Sequence, residues 1–78
     1  MSPLKIVILK DHTHLMGEVT ELDEEPSYLI GNCMKVDDGS WTRYPYYTNQ
    51  RDIFLTSDVI LTIVEPSEDS ITNYKKAL

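Results

Sequence analysis

The stretch best equipped for chemistry is Arg43-Tyr44-Pro45-Tyr46-Tyr47, followed by Arg51, which sets aromatic rings beside guanidinium groups. Rings of this kind stack on nucleobases, at ~1–3 kcal/mol per base, while the cations meet phosphate. Trp41, Tyr44 and Tyr46 are equally suited to filling a small core or a subunit contact, where tyrosine is common. Thr56-Ser57-Asp58 offers two hydroxyls and a carboxylate in a tight turn. Such a turn can line a pore and donate to a ligand, although small polar residues also serve any turn. His12 and His14 stand two apart beside Asp11 and can face one side of a strand. Zinc needs a further ligand that no other spacing supplies, so no metal site is expected. Cys33 lies in an apolar run and reads as a buried, inert thiol. No Ser-His-Asp ordering, phosphate loop or carboxylate dyad stands out, so neither an enzyme nor a cofactor is expected.

The elements that must position these residues are strands. Residues 53–64 hold the chain's greasiest segment, two β-branched arms that meet at Thr56-Ser57-Asp58. On the second arm Val59, Leu61 and Ile63 alternate with Ile60, Thr62 and Val64, so both faces are apolar. That arm is expected to be covered on both sides, within the chain or by a second subunit. Upstream, Leu4 to Leu9 reads as a first strand. His14 to Leu22 reads as a second, with Gly17 marking a bulge or bend. Tyr28 to Val36 forms a third, and Asp38-Gly39 is the strongest hairpin signal in the chain. A fourth strand starts at Ser40 or Trp41 and is open to being split, because Pro45 has no N–H to give a ladder.

After residue 66 the pattern changes to helix. Pro66 and Ser67 open a segment with Glu68 and Asp69 in its first turn and Lys75 and Lys76 in its last, complementing the helix dipole at both ends. Ile71, Tyr74 and Leu78 make its apolar stripe. The expected organisation is one barrel over residues 1–66 and a carboxy-terminal helix over 67–78, packed on the barrel or on a neighbouring subunit.

Thirteen acids against seven Lys and Arg give a net charge of −6, which argues against general binding to duplex nucleic acid. At 78 residues the core is small, and association with further copies is a common remedy. The single cysteine forms no internal disulfide, the amino terminus lacks a full signal-peptide pattern, and no apolar run approaches the ~20 residues of a membrane span. A cytoplasmic protein without a membrane role is expected.

Five short strands, a bent second strand, an Asp-Gly hairpin and a terse turn before the last strand resemble the Sm-like (LSm) family of small SH3-like barrels. Gly17, Val19, Leu22 and Asp23 fit its first motif, and Leu55 to Ile60 occupy the frame of its second. The nearest likeness is to the divergent short members found in tailed phages, which share a Glu-Pro-Ser followed by a terminal helix. The resemblance implies an all-β, five-stranded, strongly bent barrel that forms a homo-oligomeric ring, pentamer to heptamer. It also implies single-stranded RNA as a ligand, contacted by Asp23, Tyr28, Arg43, Thr56, Ser57 and Asp58. The departures are specific. Thr56-Ser57 replaces the Arg-Gly of the second motif, Glu24, Glu25 and Pro26 lengthen the first-motif loop, and Asn32 lies too far along to align with the family's asparagine. The two expected functions are a ring scaffold that binds RNA or modulates RNA metabolism, and a structural ring that contacts protein alone.

Overall fold

The computed structural model describes residues 3–23 and 27–78. In chain order these form β1 (Leu4–Leu9), β2 (His14–Leu22), β3 (Ser27–Asp37), β4 (Ser40–Arg43), β5 (Ile53–Thr56), a 3₁₀ turn (Ser57–Val59), β6 (Ile60–Val64) and α1 (Glu68–Ala77). The strands make one antiparallel sheet in the order β4-β3-β2-β1-β6, with β5 also pairing β3. The fold is therefore small and all-β with a terminal helix. Among the described residues β5 and β6 do not pair with each other, so the sheet stops short of closing.

Six strands stand where five are expected, and the extra one arises by interruption. β4 pairs with Met34 to Asp37 and β5 with Ser27 to Ile30, both on the border of β3 away from β2. They are one strand broken by residues 44–52. The last bond across is from the Tyr44 N–H to the Cys33 carbonyl, at 3.3 Å, and the ladder fails beyond it because Pro45 has no N–H to offer.

The bend sits at Gly17. Register runs from Met16 opposite Met34 to Glu18 opposite Gly31, so Gly17 alone faces both Asn32 and Cys33, which makes a β-bulge. A Cβ on Gly17 would lie 2.5 Å from the Gly31 carbonyl oxygen, and only glycine allows the two backbones to come so close. Asn32 takes a left-handed φ of 51°, as asparagine does more readily than most residues. Its N–H donates to the Asp52 carboxylate at 3.1 Å, and the Cys33 N–H donates to the Arg51 carbonyl at 3.0 Å. The interrupting segment thus satisfies the groups that the bulge takes out of the ladder. At the hairpin Asp38 and Gly39 have φ of 49° and 82°, the positive pair a type I′ turn demands.

Alternation gives the sheet two apolar faces. Val7, Leu15, Val19, Ile30, Cys33 and Ile53 form the core inside the bend. On the opposite face Met16 and Met34 pack with Trp41 and Ile6 beneath α1, whose Tyr74 is only 2 % exposed. The Trp41 and Tyr74 rings meet edge to face at 6.1 Å. The Ser67 hydroxyl accepts the Ser70 N–H at 3.1 Å, a helix N-cap. The buried stripe, however, is Ile71, Tyr74 and Ala77, not Leu78. Leu78 is the C-cap, past the last full turn, and stays half exposed.

β6 departs from the expectation of cover on both faces. Ile8 pairs with Thr62 and Leu9 with Ile60, so Leu61 is an extra residue. This bulge shifts the alternation and lets both Ile60 and Ile63 pack on the core, while Leu61 is left 54 % exposed. Within the chain only one face of the strand is covered. Among the described residues no helix is long and apolar enough to cross a membrane.

Candidate functional site

Leu22 pairs with Ser27, and Ser27 pairs on its other side with Thr56, so Asp23 and the 56–58 turn share one end of the sheet. Tyr28, one residue along, lies between Glu21 and Leu55. Five of the six residues expected to contact RNA are thereby brought together. Arg43 is not among them. It pairs with Met34, six positions along β3 from Tyr28, on the order of 20 Å at ~3.3 Å per residue. Because directly opposed side chains share a face, Arg43 stands on the side covered by α1. Glu24, Glu25 and Pro26, the expected lengthening of the first-motif loop, lie outside the described residues.

The chemistry at this end is more acidic than a phosphate site requires. Thr56 donates its hydroxyl to the Asp58 carboxylate, and this bond is the main reason the Asp58 carboxyl sits below its ordinary pKa, with a smaller contribution from Lys10. The hydroxyl is thus already engaged. Tyr28 is half-buried against the core through the same face as Leu55, so its ring is packed instead of being offered to a base. Asp23, Ser57 and Asp58 are exposed. The nearby cation is Lys10, which spacing alone does not reveal. Its N–H donates to the Val59 carbonyl at 3.0 Å, and it lines a largely apolar cleft of about 420 Å³ with Leu9, Leu55, Asp58 and Val59.

A second cleft, of about 510 Å³, lies between the Asp11–His14 turn and Lys35–Asp38. The His14 ring bonds through Nδ1 to the His12 carbonyl oxygen at 2.9 Å, the nitrogen donating in the tautomer that carries its proton there. The Asp11 carboxylate accepts the Thr13 N–H at 3.0 Å, and bonding to Thr13 lowers its pKa. No group of three or more His, Cys, Asp or Glu suited to a metal ion occurs among the described residues. Cys33 is buried, and loss of solvation pushes its thiol up to about 12, which leaves the thiolate scarce at neutral pH.

The aromatic run divides by role. Trp41 lies under α1, and Tyr44 packs on the core inside the bend. Tyr46 and Tyr47 are exposed. The rings of Tyr44, Tyr46 and Tyr47 meet in sequence, edge to face, at 5.6 and 6.3 Å. The Lys35 ammonium sits 5.7 Å from the centre of the Tyr46 ring, a cation–π distance. Lys35 reaches this cluster from β3, so neither residue's sequence neighbours announce the contact.

A family model described as a family of unknown function (DUF6561) matches residues 2–78. No curated protein matches the chain.

Proposed function

For a chain that belongs to the DUF6561 family, we propose a self-assembling, Sm-like ring scaffold with single-stranded RNA as its cargo. One observation carries the assembly. Among the described residues β5 and β6 each present a border with no strand on it, and the side chains beside those borders include Phe54, 67 % exposed, and Leu61, 54 % exposed. Unpaired edges are templates for a strand from another chain, and apolar surface beside them adds the drive to bury it. The β5 border of one copy would receive the β6 border of the next. The two borders are different surfaces, so the contact is head to tail and closes into a ring where the rotation permits.

The topology supports the same reading. With the interrupted strand counted as one, five strands remain in the order β4/β5-β3-β2-β1-β6, with a 3₁₀ turn leading into the last, which supports a strongly bent SH3-like barrel. Light scattering on the full chain tests the proposal. A mass of five to seven subunits is expected, shifting to the monomer in Leu61→Lys. A monomeric parent chain would overturn it.

A second reading, a ring that contacts protein alone, is favoured by the acids of the turn end, Asp23 and Asp58, which repel phosphate. Absence of binding to uridine- or adenine-rich oligonucleotides at low salt, with the oligomeric mass intact, selects it.

A further inference from the structure

We infer that the 44–47 loop is a stacking platform, on which the bases of single-stranded RNA lie against Tyr47 and Tyr46 while Lys35 meets the phosphates. This places the cargo of the proposed ring away from the turn end, and it rests on the reading that the ring carries RNA.

Four observations converge. Tyr47 is fully exposed and Tyr46 half exposed, and both are linked edge to face through Tyr44 to the core. Full exposure leaves the Tyr47 ring open to solvent, while Tyr46 carries the Lys35 ammonium against its ring, and base stacking uses ring faces. The loop is braced at its far end. The Gln50 N–H donates to the Thr48 hydroxyl at 3.1 Å, the Gln50 amide donates to the Asp52 carbonyl at 2.6 Å, and the Asp52 carboxylate holds the bulge at Asn32. A platform fixed in this way loses little freedom when a base arrives.

Tyr47 also holds a φ of 65°, a conformation costly for a bulky side chain and free for glycine. A strained backbone that presents an aromatic ring to solvent points to use of the ring. Finally, charge permits a polyanion here and opposes it elsewhere. Residues 35–52 hold three cations, Lys35, Arg43 and Arg51, against three acids, Asp37, Asp38 and Asp52, so the whole net charge of −6 lies on the rest of the chain. At the turn end the Thr56 hydroxyl is already bonded to the Asp58 carboxylate, and the cation there, Lys10, lies beside that carboxylate.

Fluorescence anisotropy of a labelled uridine-rich oligonucleotide with the full chain, at low salt, tests the platform. Tyr47→Ala is expected to weaken binding roughly tenfold, and Tyr46→Ala combined with it further still, as loss of base stacking does elsewhere. Tyr47→Phe keeps the ring and is expected to bind as the parent does. Thr56→Ala with Ser57→Ala is expected to leave affinity unchanged. Unaltered binding in Tyr47→Ala, or loss of binding in the Thr56 and Ser57 variant instead, would overturn the platform and leave the RNA-carrying ring standing. No binding by the parent chain would remove platform and RNA cargo together, whereas the mass from light scattering judges the ring by itself. Tyr47 contributes nothing to the core, so Tyr47→Ala stays folded and the comparison remains decisive.

Discussion

The Tyr74 hydroxyl donates to the Asn32 carbonyl at 2.7 Å, across 42 residues of sequence, and so ties helix α1 to the bulge that bends the sheet. The ring itself lies between Met16, Met34 and Trp41. Tyr74→Phe removes the bond and keeps the packing, so a loss of about 1 kcal/mol is expected. Tyr74→Ala also empties the site, and about 3–5 kcal/mol is expected from aromatic truncation. Urea midpoints of the two variants check this. Equal losses would mean that the hydroxyl, not the ring, anchors the helix.

The same residue predicts alkaline weakening. Burial raises the Tyr74 hydroxyl from its ordinary value of 10.0 to about 12, with Glu18 and Cys33 adding to the effect. Its folded pKa lies above the unfolded one, so its contribution is intact below pH ~10 and is lost as pH rises through about 12. Cys33 acts in the same direction, from 9.0 to about 12, through burial alone. Stability of the parent chain, followed by far-ultraviolet circular dichroism, is expected to fall across that window. The fall should be shallower in Tyr74→Phe. An identical profile in the variant would remove Tyr74 from the explanation.

Gly17→Ala is expected to cost about 1–3 kcal/mol or more. Its new methyl would sit 2.5 Å from the Gly31 carbonyl oxygen and 2.8 Å from Ile30 Cγ2, inside any tolerable contact. Gly39→Ala, which has open space around it and only an adverse φ of 82°, is expected to cost about 1 kcal/mol. Thermal unfolding of both variants checks the order. A milder effect at Gly17 than at Gly39 would contradict the close approach described at the bend.

Tyr47→Gly is expected to stabilise the chain by about 0.5 kcal/mol, since relief of the left-handed backbone strain outweighs the entropy that glycine adds to the unfolded chain. If the ring serves binding, the same change lowers oligonucleotide affinity. Urea denaturation set beside anisotropy reads both. A destabilised variant would show that the Tyr47 ring is needed for folding.

Thr56→Ala is expected to return the Asp58 carboxyl toward its ordinary pKa, because the Thr56 hydroxyl is the largest cause of the lowering. Carboxyl carbon shifts followed through an acid titration check this. An unmoved midpoint would assign the effect to backbone groups.

Much of the fold is legible in the sequence because its signals are local. A β-branched run marks β1, an apolar stretch bent at Gly17 marks β2, the Asp38-Gly39 pair marks the hairpin, and Ser67 with its flanking charges marks α1. The remaining features depend on partners distant in the chain. That β4 and β5 share one border of β3 is a matter of tertiary pairing, and so is the Leu61 bulge, which follows from how β1 aligns with β6. The stripe of α1 ends at Ala77 because the helix ends there with Leu78 as its C-cap, and helical spacing carries no trace of that. At the candidate site, Asp23, Thr56 and Ser57 follow from the strand layout. The half-burial of Tyr28, the distance of Arg43 and the meeting of Lys35 with Tyr46 do not.

The excursion between β4 and β5 begins and ends beside the same strand, β3, so its exposed tip projects from the sheet without displacing either strand. Exchange of Tyr46 and Tyr47 at that tip is expected to leave β5 in place on β3. In effect a replaceable tip sits on a fixed handle, and an inserted segment is expected to disturb the sheet least at that detour.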